Sequence, residues 1–402
     1  MPSLQPTESD DILYVYGFLE SVERPKFRGT YNRTHLVFDA VEARWFEEGN
    51  TEERTPERMS IIRILTTEKR IRERFNIDPQ TMEGGWYQLT LQKIRNRPVA
   101  WVLDGQDYSA PPFRTNLVGM EALASDTKGR FGSKRVLSAL TQWCSIPRPI
   151  GDGTSPTTRA KSYDLRVLVL DVGQANCSAI YSHEDKNSTL LGYFDVGRPA
   201  FFHQKTFPKA FTKHLCIPPT GFVALSHWDF DHYSLALVEF PDLQKCTWYA
   251  PDQSVGPTAA RLQSLIGTRL HFVTVACHKI ATDIALWRGT GSATDRNNSG
   301  YVLRAETTSG AILLTGDVSY NSIPKKVIAN LAALGVSHHG GNGCSNPPAP
   351  NKKGRVAAIS YGAGNRYGHP DGHHVGAHAA LNWVIKRTAT EGAVVRGDIW
   401  LP

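Results

Sequence analysis

The six cysteines of this 402-residue chain include no CxxC pair and no dense spacing, which argues against both a zinc ribbon and a disulfide scaffold. Long apolar runs are missing as well. RVLVLDVG and TGFVALSH are among the longest, whereas a membrane helix needs roughly 20 such residues. The opening MPSLQPTESDD is polar and acidic, unlike the basic and then apolar start of a secretion signal. No membrane partner is expected, and a reducing cytoplasm is the simplest location. Histidine is nearly absent from the first part of the chain, since of 14 only His35 precedes His183. Internal repeats and low-complexity tracts are not evident.

What is present is a core and a charge imbalance. With 41% hydrophobic and 21% charged residues, the chain can fill two packed domains and is too apolar for disorder. Up to residue 165 the charges nearly cancel. The remainder carries 22 of the 45 Lys and Arg and 16 of the 38 Asp and Glu, hence +6 of the net +7. Positive charge and metal-capable imidazole therefore share the second part, and the chemistry is expected there.

The first third reads as strands in DILYVYGFLESV, HLVFDAVEARWF, MSIIRILTT, WYQLTLQKI and PVAWVLDG, rich in aromatic and β-branched residues. Between the third and fourth, Ile71 and Phe75 of TEKRIRERFNI sit at helical spacing. Three strands, a helix and two strands is the order of an OB-type barrel, a fold that often binds single-stranded nucleic acid or sugars. Trp45, Trp86, Tyr87 and Trp101 have the chemistry to stack bases, although barrel packing is the first role expected of each. This domain, residues 1–144, would grip nucleic acid or a protein partner. SKRVLSALTQW has helical character, and SIPRPIGDGTSPTTRAKS concentrates Pro, Gly, Ser and Thr, so 145–162 reads as a linker.

From 163 to 402 apolar runs end one after another in polar clusters: at Asp171, at Asp195, at His227 to His232, at Asp317, and at His338 and His339. Carboxylates and imidazoles at successive strand ends can converge on one edge, where a cation compensates their burial. Asp171 and Asp195 lie in tight Asp-Val-Gly turns and are expected to orient ligand histidines rather than to bind metal.

The segments LDVGQAN, FDVG, LSHWDFDH, DRNNSGYVLR, ILLTGD, SHHGG and SYGAGNRYGHP, in this order, resemble the motif series of the metallo-β-lactamase-fold hydrolase domain found in ComEC competence proteins. The resemblance spans a little over half the chain and implies an α/β (α+β) αββα sandwich with one or two divalent ions, Mn²⁺, Zn²⁺ or Mg²⁺, that hydrolyses phosphodiesters. It implies that His227 and Asp229 hold one ion, Asp231 and His232 the second, that Asp317 bridges the two, and that His338 completes the coordination of the second ion. Asp231 is then also catalytic, through the water activated there.

Two departures bear on the metal count. Asp229 stands where the HxHxDH signature has an imidazole, which tilts preference toward harder ions. No histidine in a Gly-rich loop lies between His232 and Asp317; the series has Asn297, Asn298 and Ser299 there, suited to positioning substrate or supporting the ligands. His369 is the candidate proton donor or phosphate-binding group, with Asn365 and Arg366 beside it, and a turn-fixing role is its alternative. His339 directly follows His338 and is expected to point away, into a supporting bond. His373, His374 and His378 are expected to pack or face solvent. Arg304, Lys325, Lys326, Lys352, Lys353 and Arg366 could follow a phosphate backbone.

The leading functional reading is a cytoplasmic metal-dependent nuclease acting on DNA or RNA, with defence against foreign nucleic acid as its suggested setting. The alternatives are a hydrolase of a small phosphodiester, such as a cyclic nucleotide, or of another ester, and a non-catalytic metal-binding module.

Overall fold

A computed structural model describes residues 12–24, 33–50, 54–94, 99–108, 110–123, 131–145, 164–184, 187–208, 211, 215–216, 221–341, 344–389 and 396–402. Two compact units emerge, one of residues 1–147 with 254–265 and one of 148–253 with 266–402. Apart from Ser145, the expected linker 145–162 lies outside the described residues. Among those residues no helix is long and apolar enough to cross a membrane.

The first unit contains β1 (Ile12–Glu23), β2 (Thr34–Glu42), β3 (Met59–Thr66), β4 (Trp86–Lys93), β5 (Ala100–Asp104) and β6 (Phe113–Ala122). They close in the order β1-β2-β3-β5-β6-β4, every neighbouring pair antiparallel. This corrects the OB expectation of five strands, because β6 inserts between β5 and β4. The sixth strand carries no clean period-two signal because its alternation breaks: Thr115 and Leu117 are buried, then Met120, with a register shift against β4 at Thr90/Leu91. A bulge of this kind swaps which residues face inward.

Leu36, Phe38, Ile62, Ile64, Leu89, Val102 and Leu117 fill the barrel core together with Ile71 of the helix Glu68–Phe75. That helix starts where Thr67 Oγ1 accepts the Arg70 N–H at 3.1 Å and stops at Asn76, whose φ of 53° is left-handed. Complete burial of a side chain such as Ile71 contributes about 1.5–3 kcal/mol. Trp86 and Tyr87 are buried edge-on against Phe18 and Phe38, Trp45 lies edge-on to Trp143, and Trp101 lies under the Arg63 guanidinium. All four take packing roles.

The second unit is a sandwich. Its first sheet comprises β7 (Asp164–Val169), β8 (Cys177–Glu184), β9 (Asn187–Val196), β10 (Phe222–Ala224), β11 (Thr247–Pro251) and β12 (Leu270–Val273). The second comprises β13 (Cys277–Ala281), β14 (Ile284–Arg288), β15 (Tyr301–Thr307), β16 (Gly310–Leu314), β17 (Leu331–Gly335), β18 (Val356–Ile359) and β19 (Val384–Arg387), and β20 (Ile399–Leu401) returns to the first sheet beside β7. Val167, Ile180, Phe194, Ala224 and Tyr249 of one sheet share a core with Leu286, Tyr301, Leu303, Ile312, Leu314 and Ala333 of the other. Alternation is clean in the second sheet: Leu303, Ile312 and Leu314 face this core while Val302, Ala311 and Leu313 face a separate cluster with Tyr320, Trp383 and the helix residue Val375.

Strand direction places the chemistry. β9 to β12 run parallel, as do β16 to β19, and β7 shares the direction of β9 through two antiparallel steps. Segments that leave the C-terminal ends of parallel neighbours emerge at one edge of a sheet, where sites in α/β sheets commonly form.

Candidate metal centre

The groups of the cluster lie at or just beyond such strand ends. Asp195 is the penultimate residue of β9, His227 follows β10, Asp317 follows β16, and His338 and His339 follow β17. Asp195 is fully buried at a φ of 55°, and its carboxylate accepts the Ser226 N–H at 2.8 Å, the Ser226 hydroxyl at 2.9 Å and His232 Nδ1 at 2.9 Å. With its hydroxyl proton committed to Asp195, Ser226 Oγ accepts from His227 Nδ1 at 3.0 Å. His339 Nδ1 donates to the Ser360 carbonyl at 2.8 Å. Three buried imidazoles therefore carry their protons on Nδ1 and direct Nε2 lone pairs elsewhere.

Those Nε2 atoms meet carboxylates. His227 Nε2 is 3.3 Å from Asp229 Oδ2, His232 Nε2 is 3.4 Å from Asp317 Oδ1, and His339 Nε2 is 3.5 Å from Asp231 Oδ2. All three Nε2 atoms are shielded from solvent and make no hydrogen bond. Acceptor thus faces acceptor, which costs free energy unless a proton or a cation lies between them. One ligand atom each of His227, His232 and Asp317 fall within 4.8 Å of one another, and so do those of Asp231, His232 and His339. The donor set of imidazole nitrogen and carboxylate oxygen fits Zn²⁺ or Mn²⁺.

Electrostatics follow the same geometry. Burial opposes the ionisation of Asp317, but His338 and His232 override it and hold its carboxyl well below the usual range. Burial likewise opposes charging of His232, and Asp317 and Asp195 raise its pKa well above that of a free imidazole. Asp229, also penalised by burial, is lowered by Arg296 and then by His227.

Several placements differ from expectation. His339 does not point away from the cluster: His338 and His339 have φ of 47° and 53°, and this left-handed turn aims both inward where an extended chain would alternate them. His338 Nε2 lies 3.6 Å from Asp317 Oδ2. Asp171 orients no histidine of the cluster. It holds Arg396 through two bonds of 2.8 and 2.6 Å, and Arg396 in turn donates to the Thr206 carbonyl. Asn298 and Ser299 serve the loop, Asn298 bonding Asp295 and accepting the Ser319 N–H, Ser299 accepting from Gln253. Asn297 Oδ1 is shielded and has no hydrogen-bond partner. Arg304 pairs with Glu306 and donates to the Val327 and Ala329 carbonyls, and Lys326 lies 4.5 Å over the Trp287 ring, while Lys325, Lys352, Lys353 and Arg366 are exposed.

His369 is held as a unit with its loop. Asn365 Oδ1 accepts the N–H groups of Tyr367, Gly368 and His369, and its amide donates to the His369 carbonyl at 2.6 Å. Gly362 N–H donates to Gln174 Oε1, so the Gln174 amide nitrogen, 3.4 Å from His369 Nδ1, is the donor there and leaves the neutral ring's proton on Nε2. The His369 and His338 rings stand perpendicular, 5.3 Å apart. His374 and His378 are buried in the helix Gly372–Ala380.

Sequence reasoning missed five participants. Asn176 donates to Asp317 at 3.4 Å, Ser226 links Asp195 to His227, Gln174 sets the tautomer of His369, His203 accepts the Arg366 N–H at 2.9 Å, and buried Arg296 lies 3.0 Å from Asp229. Four of them were adjacent to or inside the motif segments and could have been flagged by position alone. His203, in an unremarkable FFHQK run, carried no signal.

No protein-family model and no curated protein matches the chain. Solved structures similar to it include Tm1679, described as a metal-dependent hydrolase of the β-lactamase superfamily, at 12% identity and a TM-score of 0.35 over 59% of this chain and 98% of that one. Zn²⁺-bound PqqB from Methylobacterium extorquens is similar at 12% identity and a TM-score of 0.34, over 59% and 99% of the two chains. The metallo-β-lactamase fold protein YhfI from Bacillus subtilis follows at 11% and 0.33, over 59% and 98%.

Proposed function

We propose that this protein is a divalent-metal-dependent hydrolase of phosphodiester bonds, with nucleic acid as its substrate class. The observation that carries the reading is the set of three buried imidazoles whose unbonded Nε2 atoms face the carboxylates of Asp229, Asp231 and Asp317. His227, Asp231, His232, His339 and Asp317 would hold the metal. A divalent ion bound there supplies Lewis acidity: it acidifies water and steadies charge building on a phosphoryl oxygen.

The chain's own groups do the rest. Asp195 keeps His232 in the tautomer that offers Nε2, and Asn176 steadies Asp317. His369, with its proton on Nε2 and its ring locked by Asn365 and Gln174, is suited to protonate the departing oxygen. Exposed Arg366, next to this loop's Asn365, and the +6 excess of residues 166–402 favour a polyanion. A cytoplasmic role against foreign nucleic acid, with the barrel gripping the polymer or a protein partner, completes the reading.

The test is incubation of the purified protein with single- and double-stranded DNA and RNA in Mn²⁺, Mg²⁺ or Zn²⁺, beside an Asp231→Ala control. Metal-dependent cleavage of a polymer that the control lacks is the expected result. Cleavage of bis-p-nitrophenyl phosphate without polymer cleavage would transfer the assignment to small phosphodiesters, and no hydrolysis with any ion would remove it.

A further inference from the structure

Arg296 brings a permanent positive charge into the cluster. Its side chain is 2% exposed, and Nη2 lies 3.0 Å from Asp229 Oδ1 while donating to the Trp228 carbonyl at 2.7 Å. The hydrogen bond goes to the backbone, so the contact with Asp229 is an ion pair rather than an aligned bond; Asp229 Oδ1 has no hydrogen-bond partner. The Trp228 carbonyl anchor holds the guanidinium beside the residue that replaces the second imidazole of the HxHxDH pattern.

Charge balance gives the pair a meaning. Asp229, Asp231 and Asp317 face the unbonded Nε2 atoms, and Asp195 is a fourth buried carboxylate behind His232. The guanidinium offsets the charge of Asp229, the carboxylate it touches, and leaves Asp231 and Asp317 to a cation held around His232. A second divalent ion against Asp229 would lie within a few ångströms of the guanidinium in a buried setting, where repulsion between like charges is poorly screened. His232, moreover, belongs to both groups of converging ligand atoms, so one ion beside it can draw on either.

We propose that Arg296 stands in for a second metal ion: the centre takes one divalent ion, held around His232, and Asp229 is the counter-ion of the guanidinium rather than a metal ligand. This rests on the reading of the cluster as a metal centre given above.

The experiment is metal counting on the full chain. Protein loaded with Mn²⁺ and desalted is measured by inductively coupled plasma mass spectrometry and electron paramagnetic resonance. One Mn²⁺ per chain with an uncoupled spectrum is expected, as is uptake of a second by Arg296→Gln. Asp229→Asn is expected to keep the single ion with its affinity changed by less than about threefold, where loss of a supporting or ligating group typically costs 10–100-fold. Two ions in the unaltered protein, a count of one in a folded Arg296→Gln variant, or loss of the ion in folded Asp229→Asn would each overturn the stand-in role. No ion at all in the unaltered protein would instead remove the metal reading on which it rests. If Arg296→Gln does not fold, the count in the unaltered protein and the Asp229→Asn affinity decide the matter.

Discussion

His232 Nδ1 lies 2.9 Å from Asp195 Oδ2, both side chains fully buried, with Ser226 Oγ 3.1 Å from the same nitrogen, and the carboxylate keeps the proton on Nδ1 so that Nε2 is offered to the cluster. Asp195→Asn removes the anionic acceptor and lets the imidazole change tautomer. Affinity for Mn²⁺ or Zn²⁺, measured by isothermal titration calorimetry, is expected to fall about 10–100-fold. An unchanged affinity would show that Ser226 and packing orient His232 without the carboxylate.

Gly197 sits where the backbone of the Asp231 loop crosses it. A Cβ at this position would overlap the Asp231 carbonyl oxygen, and the neighbouring Asn176 N–H already bonds that oxygen at 3.1 Å. Gly197→Ala is therefore expected to displace Asp231 and reduce metal affinity at least as much as Asp195→Asn, with a lower unfolding temperature. Retention of both properties would mean that the loop shifts without cost.

In the first unit, Asp39 Oδ2 accepts the N–H groups of Thr258 and Ala259 at 2.7 and 3.3 Å, capping the helix Pro257–Ile266 from strand β2 across more than 200 residues of sequence. Asp39→Ala leaves those helix-end donors without their carboxylate. A loss of about 1–2 kcal/mol is expected in the unfolding transition of this unit, followed by circular dichroism in urea. A loss below about 0.3 kcal/mol would show that other groups satisfy the helix end.

His378 gives the fold a pH dependence. Its Nδ1–H donates to the His374 carbonyl at 2.7 Å, so Nε2 accepts the Tyr320 hydroxyl at 2.8 Å, and the neutral ring is complete. Burial lowers its pKa below the ordinary 6.5. The folded ring thus binds a proton less readily than the unfolded one, and its contribution is intact above pH 6.5 and lost as pH falls below it. Unfolding temperature is expected to drop between pH 7 and pH 5, and His378→Gln to flatten that slope relative to the unaltered protein. Equal slopes would assign the pH dependence to other groups.

Much of the second unit was legible in linear order. Apolar runs such as GAILL alternate between two buried faces, and each polar cluster marks the place where a run stops. The barrel was harder, because the register shift beside Leu117 broke the period that would have exposed its sixth strand. The role of His339 was unreadable, since adjacency to His338 implies opposite directions unless the backbone turns left-handed, and nothing in SHHGG short of its glycines announces that turn. The partner of Asp171 was illegible for a related reason: Arg396 lies 225 positions away.

The sequence by itself determined which side chains exist at the strand ends and, through its period of two, which strands bury both faces. Only the tertiary structure decided which of those groups meet, because hydrogen-bond direction, tautomer and charge pairing depend on distances between residues far apart in the chain. The placing of Arg296 against Asp229, 67 positions earlier, is such a decision, made by the folding of two loops toward one edge and by the need to compensate a buried carboxylate.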